Sequence, residues 1–246
     1  MRFLIIIFCL LSEKYLTHQF FTFRKKWSDV YAQLIEKHVP INILNANPWM
    51  RYSIYLGFLT LLCVIFGLFG HHGIGLVINF FFELSVFYIC LGEHNLFYVN
   101  ANEKKLLDDN QFIIAMNQEF YAIILWFYIL GPFGALFYRV TLYFNQQAHT
   151  LPLLVKIKAF LDWLPVRLSA LLFLLIGDFQ PGFTELCKKF LQNPLENNEL
   201  LIQTARHALS VKEQENINMM KLQNLFNHSC LILLFLLAIF VIGHVI

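Results

Sequence analysis

Residues 52–70 read YSIYLGFLTLLCVIFGLFG, a run of 19 residues without a charged side chain. A helix that crosses the hydrocarbon core of a bilayer needs about 20 mostly apolar residues, so this stretch predicts a membrane-spanning helix. A second apolar stretch, residues 73–92, follows directly after His71 and His72 and carries one acid, Glu83. Because the connection is so short, we expect the two spans to form an antiparallel hairpin with the histidines at its tip.

The composition of the whole chain indicates the same class of protein. Of its 246 residues, 58% are hydrophobic, 17% aromatic and only 14% charged, with a formal net charge of +2. Soluble proteins are about 45–50% apolar and about 25% charged, so these charges are too few to cover an ordinary soluble enzyme. The small net charge does not indicate a nucleic-acid partner. The five cysteines show no CxxC pair and no metal-ligand spacing, and we therefore expect neither a disulfide framework nor a metal or other cofactor.

Two further stretches are long enough to cross the bilayer. Residues 229–246 are again uncharged, whereas residues 121–144 are interrupted by Gly131 and Pro132 and carry Arg139 near their end. Proline removes a backbone donor and kinks a helix, which a membrane tolerates where neighbouring groups satisfy the freed carbonyl. The sequence therefore predicts one intact and one broken span.

Two shorter apolar runs are ambiguous. Residues 3–11 follow Arg2, and no small-x-small cleavage site comes after them, which favours an uncleaved membrane-inserted start over a signal peptide. Residues 166–176 are too short to cross alone. Together with residues 151–165 they predict an interfacial helix, a break at Pro165 and a buried half-helix.

The distribution of Lys and Arg predicts the orientation. Residues 13–51 hold six of them and the tip between the first two spans holds none, so the positive-inside rule places residues 13–51 in the cytoplasm. Following the spans, residues 93–120 and 177–228 are also expected there, and residues near 145–150 are expected on the outer side. Residues 177–228 are polar with apolar positions at helical spacing, which predicts helix, and Asn193-Pro194 predicts a turn that could start it.

The predicted fold class is therefore all-α: a polytopic α-helical membrane protein with a broken or half-spanning helix pair and a helical cytoplasmic segment. We expect residues 1–246 to form a single membrane domain, with the polar segment of residues 177–228 packed on its cytoplasmic side. No GxGxxG, P-loop, HExxH or GxSxG motif is present, and so no soluble-enzyme chemistry is readable. The His71-His72 pair lacks a third ligand at readable spacing, and a polar hairpin tip is the simpler interpretation.

Charged groups inside or against apolar stretches are costly and therefore often functional. The candidate ligand-binding residues of this kind are Glu13, Glu119, Arg139, Asp162, Arg167 and Asp178. An arginine that points inward needs a carboxylate or phosphate partner, whereas one that snorkels contacts lipid headgroups; both interpretations are open for Arg167. Glu119 would open the broken span, where an acid complements the helix dipole. Glu83 could be a structural carboxyl, a partner of Arg139 or a proton-accepting group.

Two stretches carry a resemblance to a known family. Residues 125–139 read LWFYILGPFGALFYR and residues 161–179 read LDWLPVRLSALLFLLIGDF. Together with the apolar runs at both ends of the chain, these motifs resemble the AmpE family of bacterial inner-membrane proteins. The resemblance implies a regulatory signalling modulator of β-lactamase induction. It would be linked to cell-wall recycling, with a cytoplasmic amidase as a possible partner.

The AmpE family is in turn similar to a membrane enzyme of cobalamin assembly, adenosylcobinamide-phosphate synthase. This chain keeps the Leu-Pro-x-Arg-Leu pattern of that enzyme at residues 164–168. It lacks the enzyme's acids, because residues 142–145 read LYFN and Lys158-Ala159 stand where an Asp pair would be. The resemblance thus implies a shared scaffold whose original chemistry is lost or changed.

Three hypotheses follow from the sequence. The leading one is a non-enzymatic AmpE-like protein that binds an anionic ligand or partner through Arg139 and Arg167. The second is a membrane enzyme, an amide-forming relative of the cobinamide-phosphate synthase with altered chemistry. The third is a transporter with Glu83 as coupling acid, for which no paired repeat is visible. The first requires that a re-entrant helix returns Arg139 inward, or else the two arginines do not share a site.

Overall fold

A computed structural model describes residues 1–15, 30–31, 33–39, 48–69, 74–92, 108–146, 152–190, 193–211 and 217–245. Of these residues 92% are helical and none lies in a strand, which confirms the all-α class. The predicted histidine tip at residues 71–72 lies outside the described residues.

The helices with defined bounds are α1 Arg2–Tyr15, α2 Pro48–Phe69, α3 Ile74–Cys90, α4 Asp109–Met116, α5 Ala122–Leu130, α6 Pro132–Gln146, α7 Pro152–Ile176, α8 Phe179–Lys189, α9 Asn197–Ala208 and α10 Met219–Val245. A π-helical turn, Asn117–Tyr121, joins α4 to α5, and a 3₁₀ turn, Pro194–Glu196, precedes α9. Residues 30–31 and 33–38 are also helical.

Four helical stretches are long and apolar enough to cross a bilayer, and the chain is an α-helical membrane protein. They are Trp49–Leu68, Asp109–Leu130, Pro152–Ile176 and Met219–Gly243. Large side chains such as Leu61 and Phe235 stay exposed on these helices, as a lipid-facing surface requires. The apolar helix α3 has 17 residues and is shorter than a typical span.

The predicted span at residues 121–144 is divided differently in the structure. The helical length that could cross the bilayer begins at Asp109 and ends at Leu130, and α6 is a separate helix. Residues 109–120, predicted to be cytoplasmic, thus belong to a candidate span. Phe112, Ile113 and Met116 of this stretch are buried and form its apolar face. The more polar residues that precede them made this face difficult to recognise in the sequence.

The predicted helix break at Pro165 is absent. Helix α7 runs through this proline for 25 residues, and Pro165 is buried within it. A proline removes only one intrahelical hydrogen bond, and side chains packed around the helix can hold the remaining bonds in place. The interfacial helix and the half-helix predicted here are therefore one continuous candidate span.

The chain divides into two compact units. The first unit comprises residues 1–93 and 123–158, and the second comprises residues 94–122 and 159–246. In the first unit α2 packs against α6. The Tyr52 hydroxyl is hydrogen-bonded to the Thr141 hydroxyl at 3.0 Å, and the rings of Tyr52 and Tyr55 meet Phe144 edge-to-face.

The junction of α5 and α6 is a tight reversal. Gly131 takes a φ of +74°, a conformation that favours glycine; its N–H donates to the Phe127 carbonyl at 2.8 Å and its carbonyl accepts from the Gly134 N–H at 3.1 Å. A Cβ on Gly134 would lie 2.5 Å from the Trp126 carbonyl oxygen. Residues eight apart in a straight helix are separated by about 12 Å, so the chain folds back here.

Helix α6 consequently returns along α2. Its first residues, Pro132 and Phe133, line a cleft with Gly67 near the end of α2, and its Thr141 contacts Tyr52 near the beginning of α2. Asn145 therefore lies at the same end of the first unit as Arg51, whereas the sequence predicts these two residues on opposite sides of the membrane. The reversal at Gly131 supplies the change of chain direction on which the re-entrant alternative depends.

The second unit is built around an aromatic cluster. Phe226 of α10 contacts Phe112 and Phe173, with ring centroids 5.9 and 5.2 Å apart. The Tyr121 hydroxyl donates to the Phe226 carbonyl at 2.9 Å and also contacts the Ser229 hydroxyl. This cluster joins α4, the π-helical turn, α7 and α10.

Polar contacts gather at one end of the second unit. The Asp109 carboxylate accepts from the Ile217 N–H at 2.7 Å, and Arg206 donates to the Asn110 side chain at 3.1 Å. The Asp178 N–H donates to the Ala208 carbonyl at 3.2 Å. The predicted helical content of the polar segment is confirmed by α8 and α9, which lie at this end.

Candidate functional site

The sequence-predicted site residues fall in both units. The first unit holds Glu13 and Arg139, and the second holds Glu119, Asp162, Arg167 and Asp178.

Arg167 is buried in α7 and makes several hydrogen bonds. Its Nε donates to the Phe190 carbonyl at 2.8 Å, and its Nη1 donates to the Trp163 carbonyl at 3.1 Å and to the Asn197 side-chain oxygen at 2.5 Å. The guanidinium also lies over the Trp163 ring, 4.7 Å from its centroid, where a cation is favourable. The side chain is only 3% exposed, so its contacts belong to the protein interior.

These bonds connect the apolar helix to both helices of the polar segment. Phe190 directly follows α8, and Asn197 is the first residue of α9, where its amide also donates to the Ala159 carbonyl at 2.7 Å. The turn predicted at Asn193-Pro194 is present, because the Asn193 side chain accepts from the Leu195 N–H at 3.1 Å. It places Asn197 opposite Arg167. Sequence reasoning identified the arginine and the turn but missed Asn197 as the partner.

The three acids of the second unit occupy different environments. Asp162 is 2% exposed in α7, whereas Asp178 is exposed at the N-terminal boundary of α8 and makes no side-chain capping bond. Glu119 is half-buried in the π-helical turn. The predicted role of Glu119 as a helix cap is wrong, because the helical stretch begins ten residues earlier at Asp109.

The π-helical turn introduces a buried polar contact that the sequence did not reveal. The Ser169 hydroxyl of α7 donates to the Asn117 side-chain oxygen at 2.7 Å. Asn117 and Ser169 are 1% and 0% exposed. Single π-helical turns often mark functional positions, but no local residue pattern distinguishes this one from α-helix.

In the first unit the two predicted residues differ in burial. Glu13 is 3% exposed near the end of α1. Arg139 is half-buried in α6, and among the described residues its guanidinium forms no hydrogen bond or ion pair. It lies within electrostatic range of Cys90, the last residue of α3.

Glu83 lines a cleft of about 340 Å³ in the first unit. Its Oε1 accepts from the Asn79 amide one turn earlier at 3.4 Å. The proposed pairing of Glu83 with Arg139 is not found in the part of the chain that the structure describes. The same cleft is lined by Arg2, which sequence reasoning treated only as a flank of the first apolar run.

Arg2 caps the end of α5 at the reversal between α5 and α6. Its Nη1 donates to the Tyr128 and Ile129 carbonyls at 3.2 and 3.1 Å. These carbonyls belong to the last turn of α5, which has no intrahelical donors for them. A cation at a helix C-terminus also complements the helix dipole.

Within the described ranges no group of three or more His, Cys, Asp or Glu side chains could hold a metal ion. The fold defines the class as an α-helical membrane protein whose chain reverses direction at Gly131. Comparison of the chain with protein-family models, with curated proteins and with solved structures finds no match.

Proposed function

We propose that the protein is a regulatory membrane protein of the AmpE type in the bacterial inner membrane. In this proposal it modulates β-lactamase induction in connection with cell-wall recycling, and it acts by binding an anionic ligand or partner rather than by forming bonds. The observation that carries the proposal is Arg139, a half-buried cation on the returning helix of the hairpin.

The chemistry of Arg139 supports an anionic ligand. A partly buried guanidinium without a counter-ion is unfavourable in an apolar environment, and among the described residues no side chain neutralises it. A planar guanidinium matches the geometry of carboxylate and phosphate. A bound anion would thus stabilise the position that the hairpin imposes.

The location of Arg139 agrees with a cytoplasmic ligand. It lies near Cys90 at the end of α3, and the distribution of Lys and Arg in the sequence predicts that this end faces the cytoplasm. The re-entrant hairpin is what returns Arg139 toward that end.

Arg167 has a different role in this proposal. Because it is buried and bonded to Asn197 and Phe190, it acts as a positioning residue that holds α8 and α9 against α7. The polar segment is then the surface for a cytoplasmic partner, with the amidase implied by the family resemblance as the first to test. Glu13 in the first unit, and Glu119, Asp162 and Asp178 in the second, remain candidate ligand-binding residues within their own units.

The decisive experiment measures ligand-induced stabilisation. Purified full-length protein in detergent is titrated with inorganic phosphate and with an anhydro-muropeptide while thermal unfolding is recorded. A ligand at about 100 times its Kd stabilises a protein by about 2.7 kcal/mol. We expect this stabilisation in the wild type and its loss in Arg139→Gln. The matched control is Arg51→Gln, whose native side chain already pairs with Glu36 at 2.7 Å, and it should keep the effect.

Two results would overturn the proposal. One is an Arg139→Gln variant that binds both anions as the wild type does and supports normal β-lactamase induction in cells. The other is turnover of a corrinoid substrate by the purified protein, which would establish the alternative, a membrane enzyme related to adenosylcobinamide-phosphate synthase.

A further inference from the structure

The cleft around Glu83 carries opposite charges that do not neutralise each other. Arg2 of α1 and Glu83 of α3 both line it, yet they form no ion pair within 4.0 Å among the described residues. Arg2 uses only Nη1 to cap α5; its Nη2 and Nε make no hydrogen bond in the described part of the chain. Donors and acceptors inside a membrane protein are expensive when they lack partners.

The polar groups on the Glu83 side are arranged as acceptors. The Thr60 hydroxyl donates its proton to the Gly57 carbonyl at 2.8 Å, which leaves its oxygen to accept. The Asn79 amide donates to Glu83, which leaves the Asn79 carbonyl oxygen to accept. Together with the carboxylate, these oxygens suit an ammonium group, which has donors only. Arg2 on the other side suits a phosphate.

We propose that this cleft binds a zwitterionic ligand that carries both a phosphate and a primary ammonium group, as a phosphoethanolamine headgroup does. The phosphate would contact Arg2, and the ammonium would contact Glu83, Asn79 and Thr60. The inference concerns a second site and is independent of the ligand proposed at Arg139, which does not line this cleft.

The size and rim of the cleft fit a headgroup. A volume of about 340 Å³ lies at the lower end of the range of about 300–1,000 Å³ for small-molecule sites. The remaining lining is apolar, and Val64, Leu130 and Phe133 stay exposed. Acyl chains attached to the headgroup could lie along these side chains.

Gly67 allows the cleft to be filled without touching its charges. It lines the cleft, and a Cβ added to it would meet nothing within 4 Å. Gly57 lies ten residues earlier on the same helix, and a Cβ there also meets nothing within 4 Å. Gly57 does not line the cleft, so Gly57→Leu is a matched control for Gly67→Leu.

The experiment is native mass spectrometry of the full-length protein with phosphatidylethanolamine and phosphatidylglycerol offered in equal amounts. We expect the wild type to retain phosphatidylethanolamine in preference, because phosphatidylglycerol lacks the ammonium group. Gly67→Leu should lower retention about tenfold, because the new side chain occupies space that the headgroup needs, and Gly57→Leu should leave it unchanged. Glu83→Gln should abolish the preference between the lipids, whereas Glu36→Gln, outside the cleft, should preserve it.

Free phosphoethanolamine serves as the second arm. If it displaces the lipid, the headgroup alone is recognised and a soluble source is possible; if only the intact lipid binds, the lipid is the ligand. Equal retention of the two lipids by the wild type would overturn the proposal. So would a folded Gly67→Leu or Glu83→Gln variant that behaves as the wild type.

Discussion

Two prolines in apolar segments of this protein have opposite effects on their helices. At Pro132 the helix ends and the chain reverses, whereas at Pro165 the helix continues for its full 25 residues. Pro132 follows Gly131, whose φ of +74° ends α5, and it starts α6 at a position where a proline loses no hydrogen bond. Pro165 follows Leu164 inside a helix. The comparison teaches that the preceding glycine, rather than the proline, produces the reversal.

One arginine forms hydrogen bonds near each of the two prolines. Arg2 supplies donors to the carbonyls at the end of α5, where the helix has none. Arg167 supplies a donor to the Trp163 carbonyl in the interior of α7 and ties this part of the helix to Asn197. One arginine caps a helix end, and the other ties the interior of a helix to the start of α9.

The largest effect is expected for Arg167→Met. The substitution removes the guanidinium donors from the part-buried carbonyls of Trp163 and Phe190 and from the buried Asn197 side chain. Unsatisfied buried groups of this kind cost about 1–3 kcal/mol each, so we expect a loss of about 3–5 kcal/mol in the free energy of unfolding, measured in bicelles. Arg51→Met, which removes a more exposed ion pair, should cost less than about 1 kcal/mol. Equal losses in the two variants would show that Arg167 does not hold α7.

The reversal is expected to be sensitive to a single methyl group. In Gly134→Ala the new Cβ would meet the Trp126 carbonyl oxygen at 2.5 Å, and because this is backbone the hairpin must open. Overpacking of this kind costs about 1–3 kcal/mol. Gly57→Ala, in open space on α2, should gain up to about 1 kcal/mol from helix propensity. Thermal unfolding of the two variants in detergent provides the measurement, and an unchanged midpoint for Gly134→Ala would contradict the tight reversal.

Replacing the two prolines tests the comparison directly. Pro165→Ala restores an N–H inside α7 and should raise stability by about 1 kcal/mol, less than the full penalty of an interior proline because the surroundings already fit it. Pro132→Ala should lower stability by about 0.4–1 kcal/mol, since it frees the unfolded chain. If both substitutions changed the free energy of unfolding with the same sign, the proposed difference between Pro132 and Pro165 would be contradicted.

The smallest effect on stability is expected for Arg2, which caps the end of α5. Arg2→Gln removes the cation from the end of α5 and should cost about 0.3–1 kcal/mol. Hydrogen exchange of the amides in residues 127–131 should speed up, while exchange in α7 should remain as in the wild type. Faster exchange in α7 alone would mean that Arg2 does not act on the hairpin.

The extent of sequence prediction differs between the spans and the sites. The apolar runs at residues 52–70 and 229–246 predicted α2 and α10 because continuous apolarity is a local property. Helix α10 begins ten residues earlier than predicted, at Met219, because its polar first turns still bury Leu222 and Leu225. Local polarity obscured this start.

The partners of the site residues could not be predicted. Arg167 and Asn197 are 30 residues apart, and Arg2 lies 126 residues from Tyr128. No helical period relates such positions, since the contacts depend on how separate helices pack. The charges themselves were identified, because a charge within an apolar stretch stands out from its neighbours. Gly131 and Pro132 were recognised as a break, but the direction of the returning helix depends on Gly134 and Trp126.

The contacts that α4 and the π-helical turn make with α10 and the segment just before it have a consequence for how the protein is made. The hydrogen-bond partner of the Asp109 carboxylate, the N–H of Ile217, is synthesised 108 residues later. The partner of the Tyr121 hydroxyl, the Phe226 carbonyl, is synthesised 105 residues later. At a synthesis rate of about 5–20 residues per second, the first helix of the second unit enters the membrane several seconds before its partner exists. During that interval its carboxylate and its phenol must be accommodated by lipid, water or the insertion machinery. The second unit is thus completed late in translation, and a chain stopped before residue 217 would display these polar groups to membrane quality control.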